Sequence, residues 1–175
     1  MQKHENLQLR QTNALAELGE KIFLDRYAVK DAKKETLAVG DTVVVCVNLK
    51  TGQREIGTVE RLDQENREVA VKLRDGTIEN RAIEHVDKPL ETVPEQMFER
   101  IASHLASVEA TPELQQEWEG RFRDLMDDWK YVPAGRIFTG AGTGQNLTFY
   151  NCYVIPSPQD SRGGIFETLN QMAVI

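Results

Sequence analysis

Cysteine is nearly absent: Cys46 and Cys152 stand alone and far apart in 175 residues. That excludes a disulfide framework and any zinc site built on paired thiols, because both need several cysteines at short spacing. Long apolar runs are missing too. Nothing approaches the roughly 20 residues that span a bilayer. The N-terminus, Met1-Gln-Lys-His-Glu-Asn6, is polar with no apolar segment behind it, so no membrane span or leader is expected and the cytoplasm is the expected compartment. Basic charge is scarce: 21 Lys and Arg against 28 Asp and Glu leave a net charge of -7, which disfavours a broad footprint on nucleic acid or an anionic membrane. From Thr36 to Pro89 there is no Trp, Tyr or Phe, so that stretch has neither a platform for stacked bases nor an aromatic groove for Pro-rich peptides.

What is present divides by period. Residues from about Leu7 to Lys30 read as a helix, with Leu15, Leu18 and Ile22 on one stripe and Phe23 and Tyr27 widening it. The period then switches to strands: Val43–Leu49, Ile56–Leu62, Val69–Leu73, Thr77–Ile78 and Ile83–Val86. Lys50-Thr-Gly52, Asp63-Gln-Glu-Asn66 and Arg74-Asp-Gly76 are the turns between them. Short strands so closely spaced predict a small SH3-like barrel over residues 36–89, since closure removes exposed edges. Its eight Lys/Arg against ten Asp/Glu favour a spacer or protein-contact module over a nucleic-acid binder. Cys46, at a strand centre, is expected in the core, and His85 is expected to be structural or exposed. Thr92 with Glu95 has capping-box spacing, and Pro94 fits the first turn of a helix whose stripe is Met97, Phe98, Ile101, Leu105 and Val108. Thr111-Pro-Glu-Leu114 opens another, with Trp118, Phe122, Leu125, Met126 and Trp129 as its stripe, while His104 lies off the first.

The last third is glycine-rich, then apolar. Gly135, Gly140, Gly142 and Gly144 surround Arg136, and a strand-forming run follows with Cys152 inside it. No Gly-Lys-Ser/Thr follows the glycines, so the phosphate loop of nucleotide triphosphatases is excluded. A tight loop feeding a buried strand is the expectation. On chemistry alone Cys152 is either a small apolar filler or a poised thiol. Asp160-Ser161 stands before an apolar helix, where an N-cap belongs.

Taken in order, Val132-Pro-Ala-Gly-Arg-Ile137, Gly140-Ala-Gly-Thr143, Asn151-Cys-Tyr-Val-Ile-Pro156, Asp160-Ser161 and Gly164-Ile-Phe-Glu-Thr-Leu169 resemble the start of the catalytic domain of ribonucleotide reductases. The likeness is greatest to the adenosylcobalamin-dependent class. The segments Asn13–Asp31 and Glu91-Thr-Val-Pro-Glu-Gln-Met-Phe-Glu-Arg-Ile-Ala102 resemble the same enzymes, with the barrel inserted between them. The resemblance implies an α+β fold: an N-terminal helix (1–35), the inserted barrel (36–89), the helical remainder of the reductase N-terminal domain (90–130), and the first strand and helix of a ten-stranded α/β barrel (131–175).

It also implies roles. Cys152 matches the N-terminal member of the redox-active cysteine pair, Thr148 and Asn151 lie where substrate contacts belong, and Asp160 and Ser161 match a pair that binds the deoxynucleotide effector near a dimer interface. No metal ligand is expected in this chain. The implied partners are a ribonucleotide, di- or triphosphate being left open, the effector, a thioredoxin-like reductant, a second copy of the enzyme, and adenosylcobalamin held mainly by residues outside this sequence. Because the chain stops inside an apolar helix, a piece of a longer enzyme, inactive alone, is expected. The rival reading is a non-catalytic adaptor whose barrel binds a protein or nucleic acid.

Overall fold

The computed structural model describes residues 15–175, so the part of the first expected helix before Leu15 lies outside the described residues. Helix α1 (Glu17–Ile22) runs without a break into a π-helical turn, Phe23–Tyr27. Glu17 and Glu20 sit in its first turn, where the helix dipole favours anions. Of the expected stripe, Leu18 and Ile22 are exposed, while Phe23 and the neighbouring Leu24 are buried. The wider π turn rotates the residues that follow it away from the α period, which a stripe counted at 3.6 residues cannot anticipate.

Five strands follow: β1 (Thr42–Asn48), β2 (Gln53–Asp63), β3 (Glu68–Leu73), β4 (Ile78–Ala82) and β5 (Val86–Asp87). They form one antiparallel sheet in the order β4-β3-β2-β1-β5. Register shifts between Cys46 and Asn48 and between Val59 and Arg61 bend the long strands and curl the sheet into a half-barrel. Arg81 of β4 reaches across the open side, donating from Nε to the Cys46 carbonyl at 2.9 Å and from Nη2 to the Val47 carbonyl at 2.6 Å. The expected strand Ile83–Val86 is instead a 3-10 turn, Ile83–His85, before the two-residue β5, because the chain must swing from β4 to the far side of β1.

Period-two alternation gives β1 two jobs. Val43 and Val45 point into the half-barrel with Leu37, Val59, Val69, Val71, Ile83 and Val86. Val44 points the other way, into the helical core beside Ile56. Cys46 is half-buried rather than in the core, and His85 is exposed.

The chain segments that enter and leave the half-barrel meet. Lys30 and Pro89 form an antiparallel bridge, flanked by Asp31 N–H to the Lys88 carbonyl at 2.9 Å and Leu90 N–H to the Val29 carbonyl at 2.7 Å. A charged seam runs beside this stem. Arg54 Nε lies 3.0 Å from Asp25 Oδ1, an ion pair outside hydrogen-bonding geometry, and Arg54 Nη2 donates to Asp87. Lys34 Nζ adds Asp87 Oδ1 at 3.1 Å and the Val86 carbonyl at 2.7 Å. Burial pushes the Lys30 ammonium below its usual range, against the pull of Asp25 and Asp87.

Helices α2 (Pro94–Ala106) and α3 (Pro112–Met126) carry the helical core. Pro94 takes the first turn of α2, but the capping residue is Gln96, whose Oε1 accepts from the backbone of Thr92 at 2.6 Å and Val93 at 3.2 Å; Glu95, expected there, sits one position too early. Thr111 caps α3, accepting from Leu114 N–H at 3.3 Å. Met97, Phe98, Ile101 and Ala102 are buried with Phe23, Leu24, Met126, Phe138 and Ala141. Asp128 and Trp129, at φ of 58° and 56°, turn the chain sharply and set the Trp129 ring edge-on to Phe98, centroids 5.0 Å apart. Leu125 and Val108 remain exposed, so the two expected stripes are narrower than their spacing indicated. Two more helices complete the described chain, α4 (Gly135–Gly140) and α5 (Arg162–Val174).

Candidate functional site

The residues singled out for chemistry lie between and beside α4 and α5. Between Ala141 and Ser161 there is no strand. The first barrel strand expected around Cys152 is therefore not formed among the described residues: its side chains have strand propensity, but no neighbouring strand satisfies its backbone. Cys152 is exposed.

The segment is nevertheless folded back on α4. Arg136 N–H donates to Asn151 Oδ1 at 3.2 Å, giving the N-terminal turn of α4 the cap that Ala134 cannot supply. Thr148 and Tyr153 share a hydroxyl–hydroxyl hydrogen bond, and the Tyr150 and Tyr153 rings meet edge to face at 6.2 Å. Phe149 lies against Gly140, where an added Cβ would come within 3.2 Å of its ring, and meets the His104 ring at 5.9 Å. Thr148, Asn151 and Cys152 thus share one reversing segment. Asn151 spends its carbonyl oxygen on the backbone, leaving its amide group to face other partners. No hydrogen bond among the described residues joins this segment to Asp160 or Ser161. Ser161 caps α5, its Oγ accepting from Gly164 N–H at 3.0 Å, and Asp160 is exposed before it.

One arrangement escaped the sequence. Glu91 is buried, and Arg100 holds it with Nε to Oε1 at 2.5 Å and Nη2 to Oε2 at 3.1 Å. Val29 N–H donates to the same Oε2 at 3.0 Å, and Arg100 also donates to the Phe138 carbonyl at 3.2 Å and to the Ala141 carbonyl. An acid and a base nine residues apart, flanking a helix start, carry no periodic signal; only tertiary packing makes them partners.

Residues 77–146 match the family model of the ribonucleotide reductase all-alpha domain. The matched stretch, less than half of the chain, takes in β4, β5, α2, α3 and α4, and includes Glu91, Arg100 and the glycine turn, though not Val29. It supports reading this part as the N-terminal region of a ribonucleotide reductase large chain. Thr148, Asn151, Cys152, Asp160 and Ser161 all lie beyond it. No curated protein and no solved structure matches the chain. No helix of the described residues is long and apolar enough to cross a membrane.

Two open grooves lie on the half-barrel, one of about 420 Å³ beside Arg61, Leu62, Asp63, Glu65 and Glu68 and one of about 310 Å³ where Lys33, Lys34, Glu35 and Arg67 stand with Leu37, Leu62 and Ile83.

Proposed function

We propose that this chain is the N-terminal part of a ribonucleotide reductase of the adenosylcobalamin-dependent class and that Cys152 is one of the two thiols that supply electrons to the ribose. The observation that carries the reading is the family match over residues 77–146, which runs through the Pro133-Ala-Gly-Arg136 motif and stops just short of Asn151-Cys152. In the net reaction the ribose 2′-hydroxyl leaves as water, hydrogen takes its place at carbon, and two thiols become a disulfide, so two electrons and two protons balance. The second thiol comes from another part of the enzyme. The cofactor, when bound, supplies the radical that starts the reaction.

The chain's own residues have simpler duties. Cys152 is solvent-accessible, as a thiol must be to meet both a ribonucleotide and a thioredoxin-like reductant. Thr148 and the free amide of Asn151 are the polar groups beside it for substrate. Asp160 and Ser161, before α5, are proposed to hold the deoxynucleotide effector, with the neighbouring helix facing a second copy. The barrel is proposed to be an SH3-like insert that spaces or contacts protein.

The test is Cys152→Ser in the complete enzyme. Folding should survive, since the side chain is exposed, while multiple turnover with a thioredoxin-like reductant should collapse because no disulfide can form. Near wild-type multiple turnover would return Cys152 to a structural role and remove the reading.

A further inference from the structure

A short helix held at both ends by residues distant in sequence leads to Cys152, and we propose that Arg100, itself held by Glu91, is the positioning residue for the segment carrying Asn151 and Cys152. The inference rests on the reading of Cys152 given above, but its test does not need turnover.

Helix α4 has six residues, too few to persist on its own. Its N-terminal turn is capped by Asn151, from fifteen residues away. Its C-terminal carbonyls, which a helix leaves without partners, are met by Arg100: Nη2 reaches the Phe138 carbonyl at 3.2 Å and Nη1 the Ala141 carbonyl. The same guanidinium reaches the Tyr27 carbonyl at 3.5 Å and both carboxylate oxygens of Glu91. Glu91 in turn accepts from Val29 N–H, so the fork cannot rotate without losing several bonds together.

The turn after α4 is fitted to this side chain. Gly142 has φ of 72°, and a Cβ there would stand 2.6 Å from Arg100 Cγ and 3.0 Å from the Arg100 carbonyl. Beyond the turn, Leu147 and Phe149 lie on Gly140, and Asn151 closes back onto Arg136. The place of Asn151, and of Cys152 next to it, therefore follows from where α4 sits, and α4 sits where the guanidinium fork puts it. Lysine keeps the charge for Glu91 but has one nitrogen in place of three, so it cannot serve the carboxylate and the separate carbonyls at once.

Amide hydrogen exchange on the intact chain tests this with Arg100→Lys and Gly142→Ala. In Arg100→Lys, exchange across residues 135–153 should rise roughly tenfold or more while β1–β3 keep wild-type protection. If Arg100 served only to neutralise Glu91, lysine would restore protection across residues 135–153 to the wild-type level, and that result overturns the proposal. Gly142→Ala approaches from the loop and leaves both charges in place. It should loosen the same residues, and unchanged protection there also overturns the proposal, whether or not Arg100→Lys folds. In the complete enzyme both variants should lose turnover with the Cys152 thiol still present. A failed Cys152→Ser test would remove the reductase reading and leave the exchange result standing.

Discussion

Two stretches of this chain are built from the same kinds of residue and end in opposite states. Thr42-Val-Val-Val-Cys-Val47 is a strand with Val43 fully buried, whereas Tyr150-Asn-Cys-Tyr-Val-Ile155 has no regular structure and Val154 is fully exposed. The difference is company. β1 has β2 on one edge and β5 on the other, and each of its faces has a core to fill. The Cys152 run has a cap and a hydroxyl pair, and among the described residues no strand pairs with it and only Ile155 is half-buried. Strand propensity describes side chains that suit a sheet, and a second strand is needed before it becomes one.

The contrast extends to the helices, and the largest expected effect probes it there. Phe98 in α2 is fully buried against Trp129 and Phe138, and Phe98→Ala should cost about 3–5 kcal/mol in urea unfolding. Phe166→Ala in α5, 68 % exposed, should stay within about 0.5 kcal/mol. A comparable loss at both positions would break the comparison by showing that α5 is covered in solution.

Within the barrel, Gly57 allows close approach of β2 and β3, where a Cβ would lie 2.5 Å from Val71 Cγ1 and 2.7 Å from the Lys72 carbonyl. Gly57→Ala should therefore cost about 1–3 kcal/mol through overpacking, measured as a lower urea midpoint at unchanged slope. Wild-type stability in that variant would mean that the half-barrel is more loosely closed than its buried valines indicate.

The smallest effect concerns the seam between barrel and helices. Burial alone would push the Asp87 carboxyl up, but hydrogen bonds from Arg54 and Lys34 outweigh it and hold Asp87 below its usual range. A depressed folded-state value means stability that is fully present above the unfolded value, near 3.9, and lost as pH falls through the lower folded one. Urea midpoints should thus decline below about pH 4, and Asp87→Asn should start lower at neutral pH and decline less. An identical acid limb in both proteins would assign the loss to other carboxylates.

Much of the fold was legible because its causes are local. Thr111-Pro112 caps and opens α3, Arg74-Asp-Gly76 turns β3 into β4, and the valine-rich runs mark the strands of the half-barrel. What the sequence concealed depends on pairing at a distance. The π turn at Phe23–Tyr27 shifted the buried face of the first helix, Gln96 displaced Glu95 as the capping residue, and Glu91 found Arg100 only because two chain segments converge on α4. For the candidate site, the order of motifs marked Cys152 and its neighbours, but not that Asn151 would be occupied in capping a helix or that Thr148 would bond Tyr153.

The stem of the barrel has a mechanical meaning. Lys30 and Pro89 run antiparallel as a bridged pair, with single backbone bonds on either side of it. Tension applied along the chain from α1 towards α2 would draw these two strands apart from one end, loading the bonds one after another rather than together. The stem is then the part of the junction that peels first under a stretching force, and the half-barrel, its ladders of β1 with β2 and β2 with β3 still closed, comes free only when Val44 and Ile56 also leave the helical core.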